Sequence, residues 1–239
     1  MKHWKPILIS TLITLAIGGI YLFNVFQQRK NPGVVPNQPE QHLTADDIAV
    51  VRMEFPQHFD DVKDLVGKSV WMKNGYSMPS YPYAAGRVEW TKPAGLIPPD
   101  QRLEVKKVIK AAVPARIDDG LSHGAQQALV VFALPGADQL YATPVGAIEG
   151  QTEQYFDDML FYYDDPHAIY SHWPKDVWAA VDAHQVKPGF SELQARTALG
   201  SKAQYDGDTE GDRTVDYDVN GKHTVIVFSH DKATSIQSK

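Results

Sequence analysis

Apolar and polar positions alternate with two periods along this chain, and the change between them divides it. From Lys68 to Lys73 (KSVWMK), Gly86 to Trp90 (GRVEW) and Leu103 to Ile109 the pattern is short and alternating, which predicts strands. Gln127 to Leu134 and Leu140 to Ile148 are apolar runs on either side of Pro135-Gly136-Ala137-Asp138, a turn signal, and predict a hairpin. Pro144 inside the second run cannot donate a ladder hydrogen bond, so that arm is an edge strand or carries a bulge. Met159 to Tyr163 predicts a buried strand or extended segment. Val177, Trp178 and Val181 then fall on one helical stripe, opened by Trp173-Pro174 and stopped by Pro188-Gly189. Ser191 and Gln194 form a capping box for a second helix, and Gly200 supplies its left-handed stop. Thr214 to Val219 and Lys222 to Phe228 alternate around Asn220-Gly221, a strong hairpin signal, and Lys232 to Ile236 predicts a third strand.

At the N-terminus the pattern differs. Ile7 to Phe26 is an uncharged run of about twenty residues, long enough for a helix across a hydrocarbon core of roughly 30 Å. Lys2 and Lys5 precede it, and Trp4 and Tyr21 suit interfacial belts. Ala16-Ile17-Gly18 has the form of a cleavage site, but the apolar run continues past it, so the segment reads as an uncleaved anchor. A short basic head stays on the cytoplasmic side, which places the bulk outside a bacterial-type inner membrane as a single-pass protein. Residues 31–60 begin with proline, glutamine and asparagine and little to bury, the composition of a tether.

The expected organisation is an anchor at 1–30, a Pro/Gln-rich tether at 31–60, a β-rich module at 61–150 and an α+β module at 151–239. The order of strand, long aromatic loop, short strands and hairpin in 61–150 resembles an SH3-like barrel. The C-terminal part predicts two layers, a helix pair on a three-stranded antiparallel sheet. The expected fold class is therefore α+β with a transmembrane helix, a small barrel and this two-layer unit.

The stretch Gly189-Phe190-Ser191-Glu192-Leu193-Gln194-Ala195-Arg196-Thr197-Ala198-Leu199-Gly200 resembles the G-hydrophobe-[ST]-x-x-x-[VA]-x-x-x-[LI]-G helix of the SmpA/OmlA (BamE-like) domain. Asp216-Tyr217-Asp218, Val225 to Phe228 and Lys232-Ala233-Thr234 stand where that family has its later strands. The resemblance implies a non-enzymatic envelope module of the kind that assists outer-membrane β-barrel assembly. The chain departs from the family in having no lipidated Cys and in carrying the β-rich module upstream.

Composition narrows the chemistry. Among 239 residues there is no cysteine, which excludes disulfides and thiolate metal sites, and the net charge of −6 without a basic patch argues against nucleic acid. No nucleophile elbow, phosphate loop or dinucleotide fingerprint occurs. Tyr76, Tyr81, Tyr83 and Trp90, set among prolines, suit either a peptide- or glycan-binding groove or the cover of a barrel's open end. Asp164-Asp165-Pro166-His167 and His172 are the polar residues of the middle stretch and candidate binding residues, read either as a solvated turn with an Asp cap or, together with His184, as a metal or acid–base cluster. His-x4-His matches no standard zinc spacing, so no metal or cofactor is assigned. The acids from Asp206 to Asp212 miss the EF-hand glycine and distal glutamate and read as a solvated loop. The leading expectation is a non-catalytic, membrane-anchored envelope protein presenting two binding modules to a protein or cell-wall partner. The alternative is a metal-assisted hydrolase built on Asp157, Asp158, Asp164, Asp165, His167 and His172.

Overall fold

In the computed structural model, residues 15–16, 18–27, 43–76, 78–114, 126–200, 203–219 and 221–238 are described. Contacts divide the chain into Met1–Asp47 and Ile48–Lys239. In the first unit, residues 15–16 and 18–27 are helical (α1) and expose Leu15, Ile20, Leu22, Phe23 and Phe26. Among the described residues no helix is long and apolar enough to cross a membrane, which corrects the expected transmembrane helix. Residues 7–14 of that run lie outside the described residues.

The second unit holds two antiparallel sheets with a few short helices. It opens with α2 (Phe59–Val62) and a 3-10 turn (Lys63–Leu65). A nine-stranded sheet follows, built from β1 (Ser69–Met72), β2 (Pro79–Ala84), β3 (Arg87–Val88), β4 (Gly95–Leu96), β5 (Arg102–Ala112), β6 (Gln126–Ala133), β7 (Leu140–Glu149), β8 (Thr152–Tyr155) and β9 (Phe161–Tyr162). Its spatial order is β3-β2-β7-β6-β5-β1-β9, with β4 on β2 and β8 on β7. The two ends do not meet, so the expected SH3-like closed barrel is corrected to an open sheet. Both end strands, β3 and β9, are two residues long. The long middle strands β5 to β7 therefore carry the structure.

β6 reads as an unbroken apolar run because both faces are covered. Ala128, Val130 and Phe132 enter one core with Val70, Met72, Leu103 and Phe161, while Leu129 and Val131 enter another with Tyr81, Tyr83 and Trp90. Of the two roles open to Pro144, the bulge is observed. Leu129 pairs with Pro144 and Ala128 with Gly146, which leaves Val145 as the extra residue.

After α3 (Asp157–Leu160) come α4 (Pro166–Ile169), α5 (Lys175–Asp182) and α6 (Glu192–Leu199). The Ser191–Gln194 capping box forms, and Gly200 takes φ +97°. The second sheet has four strands, not three: β10 (Ala203–Asp206), β11 (Thr214–Val219), β12 (Lys222–Ser229) and β13 (Lys232–Ser238), in that order. β10 arises in a segment whose polarity reads as loop, since three of its four residues are exposed at an edge. α5 and α6 contribute Trp178, Val181, Ala195 and Ala198 to one core with Val215, Tyr217, Ile226 and Phe228.

β1 and β9 lie between the two cores. Val70, Met72 and Phe161 face the core of the large sheet, while their neighbours Trp71 and Tyr162 face the core of the smaller one. Side chains on a strand alternate between faces, so this edge serves both cores at once. Asn74 Nδ2 donates to Thr197 Oγ1 at 2.7 Å and adds a buried polar tie. Gly150 and Gln151 form the turn of the β7–β8 hairpin, between paired Glu149 and Thr152.

Candidate functional site

Asp165 caps α4. Its Oδ1 accepts the His167 backbone N–H at 2.9 Å, and Pro166 holds the first helical position. The cap fixes where the His167 ring sits. Its Nδ1 lies 3.1 Å from Asp165 Oδ1 and its Nε2 lies 3.2 Å from Asp182 Oδ1 at the last residue of α5. One face of the ring stacks on Trp178, centroids 3.9 Å apart and planes at 23°. The large sheet completes the group with Asp100, in the turn before β5. Its backbone N–H donates to Met72 O at 2.9 Å, and its φ of +58° is uncommon for a residue with a side chain. Ligand atoms of Asp100, His167 and Asp182 all lie within 4.8 Å of one another.

The electrostatics follow from this crowding. Asp100 Oδ1 is buried without a hydrogen-bond donor. Burial pushes its carboxyl up to about 7, Asp182 and Asp165 push the same way, and His167 opposes them. The His167 Nε2 and the carboxyls of Asp100 and Asp182 therefore face one another closely. Such an arrangement holds either a proton, which burial favours on Asp100, or a cation bound by one nitrogen and two oxygens.

The other residues singled out in the sequence go elsewhere. Asp164 Oδ1 faces Arg52 Nη1 at 3.7 Å. His172 packs edge-on to Tyr170 and Trp173. Asp157 is buried and accepts the Tyr163 hydroxyl at 2.7 Å. Asp165 and His167 of the polar set come together. Tyr81, Tyr83 and Trp90 are buried, with Tyr81 tilted against Trp90 at 4.9 Å, and Tyr76 is exposed. Asp100 and Asp182 escaped the sequence reading. Asp182 stands at a helix end, where its polarity looks ordinary, and Asp100 is joined to His167 only by the tertiary fold.

A second acidic place lies at the other end of the middle stretch. Glu54, Asp61, Asp64 and Asp157 line a cavity of about 230 Å³. Leading into it, residues 49–57 follow a turn at 45–48 and take no regular secondary structure. Ala49 and Val51 pack against the smaller sheet's core, while Ile48, Val50, Met53 and Phe55 are exposed, Val50 by 88%. Arg52 pins this arm by donating to Tyr163 O at 3.0 Å. Among the described residues no backbone hydrogen bond joins 48–55 to a strand.

No family model, curated protein or solved structure matches the chain.

Proposed function

We propose that the chain is a non-catalytic binding protein of the cell envelope that docks a partner protein along the arm 48–55. The observation that carries this reading is the arm itself. Four large apolar side chains, Ile48, Val50, Met53 and Phe55, stand exposed on irregular backbone that, among the described residues, makes no backbone hydrogen bond to a strand. Backbone left outside any sheet and flanked by apolar side chains offers both polar groups and apolar surface to a partner segment. An apolar stripe left in water marks an interaction surface. The envelope part is supported by the uncharged run 7–26, as a bilayer contact, and by the resemblance of 189–200 to the SmpA/OmlA helix.

A photo-crosslinking residue at Val50 in cells tests the docking reading. One defined protein adduct is expected, lost when Met53 and Phe55 are both changed to Asp, with none from Lys222, which is exposed at the start of β12. The absence of an adduct from Val50, or equal adducts from both positions, overturns it. An alkaline-phosphatase fusion at the C-terminus tests the envelope placement, and an inactive fusion rejects it.

A second reading is favoured by one observation, the convergence of Asp100, His167 and Asp182. It makes the cluster a divalent-cation site and keeps open a metal-assisted hydrolysis there. Stoichiometric metal in the purified protein, and melting lowered by a chelator in the wild type but not in His167→Ala, support it. A metal-free protein with chelator-insensitive melting rejects it.

A further inference from the structure

We propose that the acidic cavity beside the arm receives the primary ammonium of a lysine side chain carried by the docked partner. This deepens the docking reading and rests on it for the source of the lysine.

The cavity is built from both sides. Glu54 and Phe55 come from the arm, Asp61, Asp64 and Leu65 from α2 and the turn that follows it, and Asp157 from α3. Four carboxylates and no lysine or arginine line it. Asp61 is held ionised by backbone N–H donors of Gln57 and His58, each 2.9 Å from its Oδ2, which keep its carboxyl below the usual range. Glu54 Oε1 has Arg52 Nε at 3.7 Å. Asp157 is different. It is only 2% exposed, its Oδ2 accepts the Tyr163 hydroxyl, and its Oδ1 has no hydrogen-bond donor from another residue. Lys73, the cation near it, turns its Nζ to the Asp158 carbonyl and lies over the Tyr162 ring. An unpaired buried oxygen next to three further carboxylates calls for a donor that also carries positive charge.

Geometry chooses among cations. Among the described residues no three of these oxygens come within 4.8 Å of one another, so a single metal ion would not be gripped. An ammonium offers three N–H donors that can reach oxygens set further apart. Phe55 and Leu65 supply an apolar wall for a lysine stem, which buries its methylenes and leaves its charge among polar groups. The volume of about 230 Å³ lies below the roughly 300–1,000 Å³ of drug-sized sites and suits one side chain. Because Glu54 and Phe55 belong to the arm, a partner segment docked along 48–55 would pass the cavity mouth.

The test uses the full-length chain and calorimetric titration with Nα-acetyl-lysine methylamide, its norleucine isostere and Ca²⁺. Saturable binding of the lysine derivative, none of norleucine, and at least tenfold weakening in Asp157→Asn are expected. Asparagine keeps the Tyr163 hydrogen bond, and a cooperative melt of the variant certifies that it folds. Absence of saturation, equal binding of norleucine, unchanged affinity in Asp157→Asn, or binding of Ca²⁺ that excludes the lysine derivative each overturns the inference. Any of these with the Val50 adduct intact removes the lysine pocket and leaves the docking reading standing. Loss of the adduct removes the docking reading itself.

Discussion

Asp157 shows how a single buried carboxyl sets a pH dependence. Burial raises its pKa to about 6 from an ordinary 3.8, Asp158 and Glu54 add to the rise, and the Tyr163 hydrogen bond opposes it. The folded state therefore binds its proton more tightly than the unfolded chain. Stability from this group is fully present below about 3.8 and is lost as pH rises through about 6. Asp157→Asn should flatten the stability profile in that window and raise stability at pH 7 by on the order of 2 kcal/mol. Denaturant melts across pH 3.5–7 check this, and an unchanged slope would reject it. Trp178 is the opposite case, a residue whose role was legible. It is buried, donates Nε1–H to Tyr170 O at 3.3 Å, and meets both His167 and Trp173. Trp178→Ala should cost about 3–5 kcal/mol. The sequence suggested that His167 lies in a solvated turn, where its loss would be silent. Its stack on Trp178 predicts instead a cost of about 1 kcal/mol for His167→Ala, largely absent when Trp178 is already alanine.

At the scale of elements, local signals were the readable ones. The β6–β7 and β11–β12 hairpins, the Ser191 cap and the Gly200 stop each depend on residues a few positions apart, and each forms as the pattern dictates. What the pattern could not carry was partnership between distant strands. The open sheet needs β9 to join β1 and β2 to join β7, pairings separated by about 60–90 residues. Without them the strand order looked like a small barrel. The same limit hid Asp100 from His167. Gly146 marks a close approach that periodicity does not reveal. A Cβ there would meet Tyr155 Cδ1 at 2.5 Å and Gln154 O at 2.6 Å. The β8 backbone cannot give way without losing its pairing with β7. Gly146→Ala should cost about 1–3 kcal/mol, read as a lower denaturation midpoint. A neutral result would mean that β8 is not held in this register.

For the whole second unit the question is whether its two sheets unfold together. Their cores meet at β1 and β9, where Phe161 and Tyr162 are consecutive residues buried on opposite sides. Losing the smaller sheet would uncover Trp71 and Tyr162 and strip the edge of the larger one. A perturbation far from that edge tests the coupling. Glu192 is 1% exposed, accepts Gly211 N–H at 2.8 Å and pairs with Arg213 Nη2 at 2.6 Å, so it holds α6 to the smaller sheet. Glu192→Ala leaves Arg213 without its buried partner and should cost about 3–5 kcal/mol. In native-state hydrogen exchange, amides of β12 should then exchange faster by at least about a hundredfold. If β1 and β9 weld the cores, Leu129 to Val131 in β6, buried in the larger sheet, should accelerate by the same factor. Acceleration confined to β10–β13 would show instead that the smaller sheet opens alone. In that case the shared edge is a contact between two folding units, not the seam of one.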